Sequence, residues 1–182
     1  MSSIRSVKRL SLIVLFIFLL SALSGCLQSP KNDNDGGEDF TFTMLDGTTK
    51  HLENYRGKIV VLDLMAVNCQ PCIYETISLK NISENYSSDK VAIISIDVWI
   101  SLGETPELVR DFIYAFNQQL DIELNWTFGV DDHQGTIMNK YAPEGVPTLY
   151  IFDQKGNIYY SHYGYENYAT LASKLDELLK KE

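Results

Sequence analysis

The stretch "KIVVLDLMAVNCQPC", Lys58 to Cys72, constrains this 182-residue chain more than any other part of it. A short run dominated by Ile, Val and Leu fits a strand buried on both faces, and such strands sit in sheets covered by helices. The run ends at two cysteines separated by Gln70 and Pro71. Pro71 stands where a helix can begin, because the N–H that proline lacks is one the first helical turn leaves unpaired anyway. A strand therefore delivers a thiol pair to a helix N-terminus. There the unpaired N–H groups and the helix dipole favour a thiolate at Cys69, and Cys72 falls one turn further inside. Thiols at this spacing can close a disulfide. Asp63 interrupts the apolar strand and needs its own explanation, since a buried carboxylate without partners is costly.

The first 26 residues indicate where such chemistry would operate. "SSIRSVKR" supplies three positive charges, "LSLIVLFIFLLSALS" is an unbroken run of apolar and small residues, and "LSGC" closes it at Cys26. That is the layout of a secretory signal. Leu23-Ser24-Gly25-Cys26 also resembles a lipobox, which implies cleavage before Cys26 and lipid attachment to its sulfur. The competing reading is an uncleaved signal anchor, because Leu10 to Leu27 approaches the roughly 20 residues of a spanning helix. Both readings place the remainder outside the cytoplasm. Without residues 1–26, which hold Arg5, Lys8 and Arg9 and no acid, the net charge deepens from −9 to −12. A chain that acidic is a poor partner for nucleic acid.

Residues 27–39 read as a flexible linker, "LQSPKNDNDGGED", with a reach of roughly 20 Å for a flexible chain of that length. The 143 residues from Phe40 to Glu182 are enough for one domain with its own core. "FTFTM" alternates as a strand, "VAIISID" is a second buried strand, and Thr105-Pro106-Glu107 opens a helix with an N-cap and a first-turn proline. Leu108, Val109, Phe112, Ile113 and Phe116 form the predicted inner stripe of that helix. "WTFGV" is a short strand and Ile137 to Tyr141 a brief helix. "TLYIFD" and "NIYYSHYG" are joined by a hairpin turn at Gln154 to Asn157, and a last helix runs from about Asn167 to Leu179. The order predicts a three-layer α/β/α domain with a mixed sheet covered on both faces.

With those residues in view, "RGKIVVLDLMAVNCQPC", the "SID" ending the next strand and "GVPTLYIFDQKGNI" resemble the thioredoxin superfamily. The likeness is closest to the extracytoplasmic, membrane-tethered thiol-disulfide oxidoreductases of the TlpA and ResA type. CxxC directly after a strand, followed about 75 residues later by Gly-Val-Pro-Thr opening another strand, carries the resemblance. It implies a thioredoxin-like fold over residues 40–182, with Cys69 as exposed nucleophile, Cys72 as resolving thiol and a redox-active disulfide between them. It implies a cis bond before Pro147, with the Val146 backbone facing Cys69 and free to pair with an extended substrate. Asn68, Gln70 and Pro71 around the cysteines complete the expected substrate contacts. Asp63 falls where thioredoxins carry a buried acid, making it a candidate proton acceptor for Cys72, while a structural carboxylate paired with lysine or backbone is the rival.

The function implied is reduction of disulfides in exported proteins, with apocytochrome c among the candidate clients. A membrane dithiol carrier would supply the electrons, and no cofactor or metal is called for. Other readings stay open: a permanent structural disulfide, a metal site, a peroxiredoxin-like peroxidase, a Sco-like copper-delivery module and a non-catalytic binding lipoprotein. A metal site would need two more ligands, yet only Cys26 and three scattered histidines remain. The peroxidase lacks its threonine at Ala66, and the copper module has CxxxC where this chain has CxxC. Asn68 also stands where the family usually has an aromatic, so substrate preference is not carried over. Trp99 and Trp126 read as core or rim, and His133 as a lone surface histidine.

Overall fold

The apolar stretch before the two cysteines forms an interior strand of the sheet, Ile59–Met65, and every residue of it is buried. In the computed structural model, which describes residues 37–181, the elements run as follows. β1 is Thr41–Met44, β2 Thr49–His51 and β3 Ile59–Met65; α1 is Gln70–Asn85, β4 Val91–Asp97 and α2 Pro106–Gln119. β5 is Thr127–Val130, α3 Thr136–Tyr141, β6 Thr148–Phe152, β7 Ile158–Tyr163 and α4 Tyr168–Leu179. Short 3-10 helices at Leu52–Tyr55 and Trp99–Leu102 fill two connections. The signal, the lipobox at Cys26 and nearly all of the linker lie outside the described residues. Among the described residues, no helix is long and apolar enough to cross a membrane.

The seven strands are ordered β2-β1-β5-β4-β3-β6-β7. β3, β4 and β5 are parallel, whereas β1 and β6 run against their neighbours and β7 pairs antiparallel with β6. The mixed sheet expected from the sequence is therefore present. Side-chain alternation divides the core between its two faces. Val60, Leu62 and Leu64 pack with Ile94, Ile96 and the α3 residues Ile137 and Tyr141. Ile59 and Val61 pack on the other side with Leu79 and Ile82 of α1 and with Leu171, Leu175 and Leu178 of α4. By the same alternation Asp63 lies on the face covered by α1 and α4.

Local chemistry sets the boundaries. The Thr105 hydroxyl accepts from Leu108 N at 3.4 Å ahead of Pro106, and the Asn167 side chain accepts from Thr170 N at 3.1 Å at the start of α4. The β6–β7 hairpin turns at Gly156, whose φ of 85° suits glycine, while Asp153 Oδ1 accepts from the backbone of Lys155 and Asn157. One reading needs correction. Leu108 does not join the inner stripe of α2 but is 40% exposed, because Val109 and Phe116 carry the buried side of that helix. The three-residue β2 and the turn after it, mixed in polarity and too short to show a period, had no sequence signal.

Candidate active site

β3 ends at Met65, and the chain turns through Ala66, Val67 and Asn68 before α1 begins. Cys69 is the N-cap of α1: its Sγ accepts from Cys72 N at 3.3 Å, and its carbonyl accepts from Ile73 N at 3.3 Å. Cys69 and Cys72 are joined by a disulfide. The sulfur that receives a helix-terminal N–H is the one best placed to carry negative charge when the bond opens. The exposure expected for Cys69 is reduced to a small aperture. Cys69 is 6% exposed and Cys72 1%, because Met65, Ala66, Ile100 and half-buried Val146 pack around the pair. Between the two sulfurs, Cys69 is still the more accessible.

Val146–Pro147 is a cis peptide, preceded by Gly145 at φ 124°. Pro147 is buried, and its carbonyl accepts from Gly164 N at 2.8 Å, tying the start of β6 to the end of β7. Val146 packs in the same cluster as the cysteines. Asn68, Gln70 and Pro71 are exposed around the aperture. The loop from β5 through α3 and the β3–α1 turn thus bring together residues about 75 positions apart in the chain.

Asp63 is 1% exposed. It pairs in register with Ser95 on β4, and Ser95 Oγ donates to its Oδ2 at 2.8 Å; Oδ1 has no hydrogen-bond partner. Burial pushes the carboxyl up to about 7, against the opposing hydrogen bond from Ser95. The partner is a hydroxyl, neither the lysine nor the backbone donors of the rival reading.

Three further buried acids lie on the elements that flank the cysteines, and sequence reasoning passed over all of them. Glu75 of α1 is fully buried with neither carboxylate oxygen hydrogen-bonded, and burial together with the charge of Asp63 pushes it up to about 9. Its signal was present in the spacing: Glu75, Leu79 and Ile82 follow Cys72 at helical intervals on one inward face. Asp97, at the end of β4, accepts from Trp99 N at 2.9 Å, and burial with the neighbouring Glu104 pushes it up to about 8. Glu104, 7% exposed, accepts from Val67 N at 3.0 Å, Asn68 N at 3.1 Å and Asn68 Nδ2 at 2.6 Å. No local pattern announces that contact, which joins the loop before α2 to the loop before α1.

The arrangement suits thiol-disulfide exchange: one reachable sulfur, a second directly behind it, and acids that can hold protons near neutral pH. Among the described residues, the acid and histidine cluster tight enough to suggest a metal is Asp39, His51 and Glu53 near β2, which includes neither cysteine.

Comparisons with known proteins agree with this geometry. The Redoxin family model matches residues 32–179. "Thioredoxin-like protein YneN" of Bacillus subtilis is 29% identical over 138 residues, covering 76% of this chain and 75% of the relative. "Thiol-disulfide oxidoreductase ResA" of Geobacillus kaustophilus is 29% identical over 120 residues, covering 66% of this chain and 63% of that one, short of two thirds of its length. Among solved structures, the "putative protein disulfide isomerase from Bacteroides thetaiotaomicron" superposes with a TM-score of 0.64 at 26% identity, covering 80% of this chain and 88% of that one. A strand-to-CxxC-to-helix site opposite a cis-proline, in a mixed sheet that matches this family along most of its length, identifies the chain as a Redoxin-family protein, a ResA-like member of the thioredoxin superfamily.

Proposed function

We propose that this protein is a tethered extracytoplasmic reductase of disulfides in exported proteins. Its class is thiol-disulfide oxidoreductase, and the disulfide between Cys69 and Cys72 at a helix N-terminus is the group that reacts. In the reducing direction the Cys69 thiolate attacks a client disulfide, forming a mixed disulfide and expelling one client thiolate. Cys72 then gives its proton to Asp63, and its thiolate attacks Cys69 Sγ. The bond between Cys69 and the client breaks, the second client sulfur leaves, and the two electrons of the dithiol now reside in the client. An extended client segment would lie along Val146 and the cis-Pro147, with Asn68, Gln70 and Pro71 at its sides.

The observation that carries the direction is the set of four buried acids, Asp63, Glu75, Asp97 and Glu104, on the elements that flank the CxxC loop. Strongly oxidising pairs are oxidising because their reduced, thiolate form is stabilised. Any of these carboxyls that ionises beside the pair opposes the thiolate, so the surroundings favour the disulfide and a reducing pair. Residues 1–26 are the export signal, with Cys26 as the lipidated residue, and 27–39 are the leash. The domain from residue 40 onward then works at the outer face of the cytoplasmic membrane, recharged by a membrane dithiol donor. Similarity to relatives named thiol-disulfide oxidoreductase supports disulfide-bearing proteins as clients; the clients proposed are exported cysteine proteins, apocytochrome c included.

The test is the reduction potential of the Cys69/Cys72 pair, measured against glutathione and dithiothreitol buffers, alongside catalysis of insulin reduction. A potential near those of cytosolic reductants is expected. A potential near those of strong oxidants reverses the direction, and absence of insulin turnover overturns the enzyme reading. For the anchor, Cys26→Ser is expected to release the protein from the membrane fraction with the domain intact.

A further inference from the structure

Ser95 Oγ makes two contacts at once: Trp126 Nε1 lies 3.0 Å from it and Asp63 Oδ2 lies 2.8 Å from it. An indole N–H can only donate, so the Ser95 oxygen must accept there. The single hydroxyl hydrogen of Ser95 is then committed to Asp63 Oδ2. Turning it the other way would set two hydrogens against each other, O–H facing N–H, and leave Oδ2 without a donor. The same logic passes on to the carboxyl. A proton placed on Oδ2 would meet the Ser95 hydrogen, whereas Oδ1 has no donor beside it.

We infer that Trp126 and Ser95 are positioning residues that lock the Asp63 carboxyl in one orientation, so that Oδ1 alone takes and returns the proton of Cys72. The inference rests on the reading of Asp63 as the proton acceptor. Two features of the fold hold the chain of contacts in place. Asp63 and Ser95 are opposite partners in the parallel β3–β4 pairing, so both side chains leave the sheet on the same face. Trp126 stands directly before β5, stacked on Phe128 at 5.3 Å between ring centroids, and Phe128 is the register partner of Ser95. The outer edge of the indole lines an open cavity with Asn125, Tyr86 and Lys58, so the chain of contacts reaches from a surface recess to the buried acid.

The groups facing Asp63 are Ser95 from β4 and Glu75 from α1, with Glu166 acting on Glu75 from the segment before α4. Two adjacent buried acids titrate as a pair, so Glu75→Gln is measured beside every other variant.

The experiment uses the full reduced chain and a symmetric aromatic disulfide, dithiobis(nitrobenzoate), in stopped flow. Attack by Cys69 releases the first coloured thiolate, and resolution by Cys72 releases the second. The pH inflection of the second phase is expected to vanish in Asp63→Asn. In Ser95→Ala it moves up by about one pH unit, the worth of one neutral hydrogen bond to the carboxylate, and Ser95→Thr restores it. Trp126→Phe moves it up by less, because the freed hydroxyl can now also accept from a protonated Oδ2. Infrared spectroscopy supplies a readout that does not need turnover: the carbonyl stretch of protonated Asp63, assigned by its loss in Asp63→Asn, shifts to higher wavenumber in Ser95→Ala. If Ser95→Ala and Trp126→Phe keep the normal inflection and carbonyl band while Asp63→Asn abolishes both, the positioning role is wrong and the proton acceptor stands. If Asp63→Asn keeps the inflection, the reading of Asp63 fails and the inference falls with it.

Discussion

Glu104 Oε1 accepts the side-chain amide of Asn68 at 2.6 Å and its backbone N–H at 3.1 Å, one residue before Cys69. With Val67 N on Oε2, a single carboxylate gathers three donors from the loop that presents Cys69. Glu104→Gln puts an N–H group where one of those donors must find an acceptor, and it removes a negative charge beside the thiol. Stability should fall by about 1 to 3 kcal/mol, the usual cost of an unsatisfied buried polar group. The reduction potential should move toward oxidising values, because the thiolate loses an opposing charge. A denaturant melt and a glutathione titration check both signs, and a variant with unchanged potential would show that Glu104 only braces the loop.

Asp63→Asn separates cost from use. The carboxylate is buried with a hydroxyl as partner and no cation, so removing its charge should leave stability level or raise it. Turnover should drop on the order of 10²-fold, with the loss in the Cys72-dependent release step and not in the first attack by Cys69. Single-turnover kinetics read the two steps apart. A loss of 3 to 5 kcal/mol in the melt would instead mark a stranded ionic partner.

The raised acids also fix the sign of the pH dependence of folding. Asp63, Glu75 and Asp97 are pushed to about 7, 9 and 8, all above their values in an unfolded chain. The native protein then binds protons that the unfolded chain has already released, so the fold is favoured at acid pH and penalised as pH rises through these values. Stability should decline between roughly pH 5 and pH 9, each acid that stays protonated in the fold contributing a slope of about 1.4 kcal/mol per pH unit. Urea melts across that range test it, and Glu75→Gln should flatten the alkaline part of the curve.

Order of attack is the simplest test of the sulfur roles. Cys72→Ser should accumulate mixed disulfides with clients, while Cys69→Ser should not, because only the N-cap sulfur borders the aperture. Non-reducing gels of cells expressing each variant give the answer; equal trapping by both would abolish the distinction.

Much of this was legible because local rules and topology agree along β3 and α1. An Ile/Val/Leu strand, a cysteine N-cap and a first-turn proline are short-range features, as are the Thr105-Pro106 start of α2 and the turn before β7. What stayed hidden depends on contacts across the chain. Glu104 looks like an ordinary loop acid until it meets the β3–α1 turn. Trp126 read as a core or rim aromatic, and no periodicity could show that its N–H ends on Ser95. The aperture over Cys69 is likewise narrowed by residues as distant as Ile100 and Val146.

Cys69 and Cys72 are only three residues apart, and this closeness settles what their bond can do for the molecule as a whole. A crosslink that closes so small a loop removes little freedom from the unfolded chain, far less than one joining distant segments. By the closed thermodynamic cycle, little of the bond's free energy is then tied to the loop it closes, and it stays available for exchange with another protein. What the scaffold adds, it adds through the groups around the sulfurs. It can be discharged and recharged repeatedly as the same object, more a carrier of two electrons than a body held shut by a clasp.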